Sequence, residues 1–179
     1  MLPIARSSAL LVACLLTTLC AAVATAQDVP NPAYEAWSKF KPGATAKVAG
    51  STKTMGLETV VEITTRLVEV TPQQATVEVL AVITSGGNRV EQAPERAPVA
   101  ARVRQSEAPA PVGEEEITVN GQKYRCRVYE MKKTEDGTTL TARTWMSDQV
   151  PGGIVKVESV TSGQVASDTR FELKEFKAE

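Results

Sequence analysis

Residues Tyr124–Phe176, YRCRVYEMKKTEDGTTLTARTWMSDQVPGGIVKVESVTSGQVASDTRFELKEF, carry the clearest signal of the architecture. It holds three turn signals, at Asp136-Gly137, Pro151-Gly152-Gly153 and Ser162-Gly163, each flanked by runs rich in Val, Thr, Tyr, Phe and Trp. Four consecutive strands in an antiparallel meander follow.

Two-residue loops fix pairing by counting outward. With Asp136-Gly137 as the loop, Glu135 pairs with Thr138, Glu130 faces Arg143 and Val128 faces Trp145. Cys126, Val128 and Trp145 then share one face, and Tyr129, Met131, Leu140 and Ala142 the other. Such a switch of apolar face fits a long, coiled hairpin. Across Ser162-Gly163 the same counting sets Val160 opposite Val165 and Ile154 opposite Phe171. Upstream, Asn120-Gly121 pairs Val119 with Gln122, Ile117 with Tyr124, Glu116 with Arg125 and Glu114 with Arg127. The run Glu114-Glu115-Glu116 therefore reads as a solvated, charge-balanced sheet face and not as a metal site, whose ligands need fixed spacing about a turn.

N-terminal to this stretch, Asn31 and Pro32 begin a short helix that Pro42-Gly43 stops. Ala33, Trp37 and Phe40 share its face. A helix this short must dock, either to cap a sheet or to act as a lid over a cavity. Strands follow at Thr45 to Lys53, Leu57 to Thr71 and Ala75 to Thr84, with turns at Met55-Gly56 and Pro72-Gln73-Gln74. The last of these is apolar on both faces in its second half and is expected in the middle of the sheet or covered on both sides. A Pro- and Ala-rich segment at about 92–113 suits a loop, within which Pro98 to Gln105 has the alternation of an edge strand.

The fold class expected is mainly β: a single curved antiparallel meander sheet, half-barrel-like, with one short N-terminal helix packed on it. Residues 1–26 read as a signal peptide, with Arg6, an apolar run and Ala24-Thr25-Ala26 before Gln27. Residues 27–179 then form a single β-rich domain of about seven or eight strands. Export to the periplasm or the extracellular space is expected, with no transmembrane span after signal cleavage. Lipid attachment at Cys14 fits less well, because the apolar run before it is short.

The chain has 20 basic and 21 acidic residues, so no nucleic-acid partner is expected. It has no His, which removes the usual general base and the commonest zinc ligand. Cys126, the one cysteine outside the signal segment, sits mid-strand and reads as a buried small hydrophobe. Ser147 and Lys156 have no oxyanion hole or second base in their spacing. No enzyme, cofactor or metal is expected. An enzyme would need an acid and base drawn from Asp, Glu, Lys, Tyr or Cys126.

The Trp37-x-x-Phe40 helix closed by Pro42-Gly43, the Cys126 strand, and Trp145-x-Ser147 followed by Val150-Pro151-Gly152-Gly153-x-Val155-Lys156 resemble a group of small exported bacterial β-proteins of no established activity. More distantly, one helix before a long meander resembles the half-barrel of LolA/LppX-type lipoprotein and lipid carriers. That resemblance implies an apolar ligand held between a curved sheet and a helical lid. The single clear helix here, against several in those carriers, tells against a large acyl cavity.

The resulting expectation is a non-enzymatic envelope protein that binds a lipid, another apolar ligand or an envelope protein on the concave sheet face. Its ligand-binding residues would be Trp37, Phe40, Tyr129, Met131, Leu140 and Trp145. The alternative is a structural module of the cell envelope that uses a sheet edge or the Pro-rich segment and encloses no ligand.

Overall fold

The first and last strands of the main sheet lie side by side at its centre, joining two meanders into one surface. The computed structural model describes residues 28–105, 109–163 and 166–179. The signal peptide expected over 1–26, with Cys14, lies outside the described residues.

In chain order the elements are β1 (Asp28–Pro30), α1 (Pro32–Ser38), β2 (Thr45–Thr54), β3 (Leu57–Val70), β4 (Gln74–Ser85), β5 (Asn88–Glu91) and β6 (Glu95–Ala100). There follow β7 (Arg102–Arg104), β8 (Pro111–Val119), β9 (Gln122–Glu135), β10 (Thr138–Met146), β11 (Ile154–Ser162) and β12 (Ser167–Lys177). The main sheet has 10 strands, in the order β5-β4-β3-β2-β12-β11-β10-β9-β8 with β6 also on β4, while β1 and β7 form a separate pair. Every pairing is antiparallel. Among the described residues the fold is the expected mainly β class, with one short helix on a curved sheet and more strands than expected.

The hairpin registers follow turn chemistry. Asn120-Gly121 and Asp136-Gly137 have positive φ at both central residues, 51° and 78°, 47° and 74°, as a primed turn requires. Ile117 faces Tyr124, Glu116 faces Arg125, and Glu114 faces Arg127, as counted from the sequence. Glu130 likewise faces Arg143, and Val128 faces Trp145.

The β11–β12 register differs from the expected one. Val160 faces Asp168, and Phe171 faces Val157 instead of Ile154; Val165 lies outside the described residues. The strands end at Ser162 and resume at Ser167, so the connection is longer than two residues. Gly163 is a glycine for a tertiary reason: a Cβ there would lie 2.9 Å from the Gly137 carbonyl oxygen and from Thr138 Cα of the neighbouring hairpin.

Two further expectations are corrected. The segment at about 92–113 is not a loop throughout, because it carries β6, β7 and the start of β8. Pro98 sits on β6, an edge strand, where its missing N–H costs no ladder bond. The edge strand expected over Pro98 to Gln105 is split at Ala101, after which β7 leaves β4 and pairs with β1. The second half of β4, expected in the middle of the sheet or covered on both sides, lies one strand in from the edge, flanked by β3 and β5, with Val82 buried.

Curvature is set near the β8–β9 turn. Asn120 Nδ2 donates to the carbonyls of Leu173 and Lys174 on β12, at 3.0 and 2.9 Å. In a flat sheet β8 and β12 would be separated by about 19 Å, at ~4.8 Å per strand. This end of the sheet is therefore curled back on itself, around a core that includes Tyr124, Cys126, Val128, Trp145, Val155 and Leu173. A second core lies under α1, where Trp37 packs with Leu67, Ala75 and Val77.

Candidate functional site

Helix α1 starts as its sequence dictates. Asn31 caps it, its side-chain oxygen accepting the Ala33 N–H at 3.1 Å, and Pro32 opens the first turn. Trp37 is held on both sides. Leu67, Ala75 and Val77 pack beneath it, and the Gly152 backbone sits so near that a Cβ there would come within 2.5 Å of the indole. The Gly152 N–H donates to the Ala36 carbonyl at 3.3 Å. Asp148 joins the helix end to β9 through Lys39 at 2.9 Å and Arg127 at 2.8 Å. The hydrogen bond from Lys39, followed by the charge of Arg127, holds the Asp148 carboxyl below its ordinary value.

The face on which α1 sits is the most distinctive surface. Directly paired residues in antiparallel strands share a face, so the registers trace rows across the sheet. One row runs Ile83, Val61, Gly50, Phe171, Val157, Thr144, Tyr129 from β4 to β9. Nearer α1 lies the row Ala81, Ile63, Val48, Leu173. Farther from it lies Ser85, Thr59, Thr52, Thr169, Ser159, Ala142, Met131. None of these three rows contains a charged residue. The opposite face differs sharply, since one of its rows reads Val60, Ser51, Arg170, Glu158, Arg143, Glu130.

The middle of the α1 face is sheltered. Val61, Ile63, Val157 and Phe171 are half-buried, whereas Val60 and Val160 on the opposite face are 44% and 52% exposed. Yet α1 covers only one end. Seven residues of helix span about 10 Å, while β3 runs from Leu67 under the helix to Thr59 over about 27 Å. Val90, Leu57 and Met131, exposed at 58%, 74% and 51%, rim the uncovered part.

The residues expected to line the site are only partly brought together. Trp37 is buried and Phe40 half-buried in the core under α1. Tyr129 is buried, Leu140 half-buried and Met131 exposed, and all three lie on the α1 face. Burial raises the Tyr129 phenol pKa. Trp145 instead belongs to the core of the curled end, with Cys126, Val128 and Leu173. It is 3% exposed, its indole N–H donates to Glu115 at 2.8 Å, and Arg143 and Lys156 each stand 4.9 Å from its ring centroid. That hydrogen bond, with Arg143 adding to it, holds the Glu115 carboxyl below its ordinary value. Glu114 and Glu116 are engaged by Arg125 and Lys123. Cys126 is buried, and burial first, then Glu115, raises its pKa to about 11.

Phe171, Val157, Val61 and Ile63, at the middle of the α1 face, were not singled out from the sequence. Their alternation with charged neighbours was the available signal. Their convergence depends on β2 pairing with β12, which links residues more than one hundred positions apart.

The chain bears a distant structural resemblance to LolA-type proteins. Solved structures similar to it include a LolA superfamily protein from Nitrosomonas europaea, 11% identical, with a TM-score of 0.29, covering 84% of this chain and 94% of the other. A putative outer membrane lipoprotein-sorting protein domain from Vibrio parahaemolyticus is 8% identical, with a TM-score of 0.32 and coverage of 81% and 89%. A DUF1329 family protein from Desulfovibrio piger is 9% identical, with a TM-score of 0.29 and coverage of 82% and 92%. No family model and no curated protein matches the sequence.

Proposed function

We propose that the chain is a non-enzymatic exported protein of the cell envelope, residues 27–179 being its mature domain, and that it binds an apolar ligand on the α1 face of its sheet. The observation that carries this reading is the charge-free surface spanning β4 to β9, half-buried and covered by α1 at one end only. A soluble sheet leaves such a face unpaired with charge when something apolar covers it part of the time. Tyr129, Met131 and Leu140 would line the site with Phe171, Val157 and Val61, and Trp37 and Phe40 would close its end. The sheet edges favour this reading over docking through an edge, because β8 carries Glu114-Glu115-Glu116 and β6 carries Pro98.

The test is native mass spectrometry of the mature protein purified gently from its own envelope, beside Met131→Glu, an exposed-site variant expected to fold. A reproducible added mass in the lipid range that Met131→Glu loses is the expected result. A bare mass for both proteins, even after incubation with lipid extract, would overturn it.

A further inference from the structure

The α1 face is not uniformly apolar, and its gradient points to the kind of ligand it takes. Beyond the Val61–Phe171–Val157 row, the next row is hydroxyl-rich: Ser85, Thr59, Thr52, Thr169 and Ser159, contributed by five successive strands. The row after it carries Thr54, Ser167 and Thr161 at its centre, with Leu57 and Leu140 on either side. Thr52 and Thr169 share a hydrogen bond at 3.0 Å, and Thr59 donates to Ser85 at 3.3 Å. A hydroxyl has one proton and two lone pairs, so each such pair keeps capacity for a ligand. Lys133, the one charge on the outer of these two rows, is paired with Glu135 at 2.7 Å.

Building on the reading of the α1 face as an apolar site, we infer that its ligand is a neutral amphiphile. The hydrocarbon chain lies toward α1 over Val61, Phe171 and Val157, and an uncharged hydroxyl- or ester-bearing head group meets the Ser/Thr band. A charged head would be desolvated against a band with no free counter-charge, whereas a neutral polar head exchanges hydrogen bonds with water for hydrogen bonds with hydroxyls.

The experiment uses three probes with one acyl chain, monooleoylglycerol, oleate and oleylamine, each titrated below its aggregation limit into the mature protein and followed by calorimetry. Monooleoylglycerol is expected to bind about tenfold or more tighter than either charged probe. The double variant Thr52→Val, Thr169→Val is expected to lose most of that preference while keeping affinity for the chain. Equal binding of the three probes, or tighter binding of a charged one, would overturn the head-group assignment and leave the apolar site standing. Retention of the full preference in the double variant would overturn it too, since Thr would then be there only as a good strand former. Failure of all three probes to bind would overturn both this inference and the apolar site.

Discussion

The Trp37 indole occupies the space that a side chain at Gly152 would need, with a Cβ there only 2.5 Å from Trp37 Cζ2. Gly152 also has a φ of +73°, so two constraints meet at one residue. Gly152→Ala is expected to cost about 2 to 4 kcal/mol, from overpacking plus left-handed strain. Gly121→Ala is the control: its φ is +78° with nothing within 4 Å, so it reports strain alone. Urea unfolding of both variants measures the difference, and equal losses would show that Trp37 is not held by this contact.

Asn120 has two separable roles. It takes the left-handed conformation of the turn, and it donates to Leu173 and Lys174 across the curl of the sheet. Asn120→Gly keeps the first and removes the second, at about 1 to 2 kcal/mol. Asn120→Ala removes both and should lose roughly 1 kcal/mol more. If Asn120→Gly is as stable as wild type, the two cross-sheet bonds contribute nothing to the curl.

With the Cys126 thiol pushed up to about 11 by burial, only roughly one molecule in a thousand carries a thiolate at pH 8. The native protein should therefore react with a thiol reagent only as fast as the fold opens, and at once in denaturant. Immediate reaction of the native protein would show that the strand around Cys126 opens locally.

Glu115 ties β8 to Trp145 on β10 and supplies a pH-dependent part of stability. Its folded pKa lies below the ordinary 4.5, because Trp145 and Arg143 favour the carboxylate. Its contribution is therefore fully present above 4.5 and is lost as pH falls through the lower folded value. Glu115→Gln should weaken the protein at neutral pH and flatten the acid limb of its stability profile, followed by tryptophan fluorescence. An unchanged acid limb would remove Glu115 from the account.

Local chemistry made much of this architecture legible. Asn120-Gly121 and Asp136-Gly137 each fixed a register through a two-residue turn with positive φ, and the cap at Asn31-Pro32 placed the helix. The same logic failed at Ser162-Gly163. There the glycine answers to the backbone of Gly137 and Thr138 in the neighbouring hairpin, which no count along the chain could reveal.

Short-range chemistry along the chain set the β class, the short capped helix, two hairpin registers and the engagement of Glu114 and Glu116 by cations of β9, because each rests on residues close along the chain. Which apolar rows become one surface was settled by long-range packing. The pairing of Phe171 with Gly50 and the seating of Trp37 over Leu67 join distant segments, and their selection depends on summed burial and curvature across the whole sheet. Trp145 shows the same division from the other side: its alternation assigned it to the face opposite Tyr129, but only the coiled sheet brought Glu115, Arg143 and Lys156 around its ring.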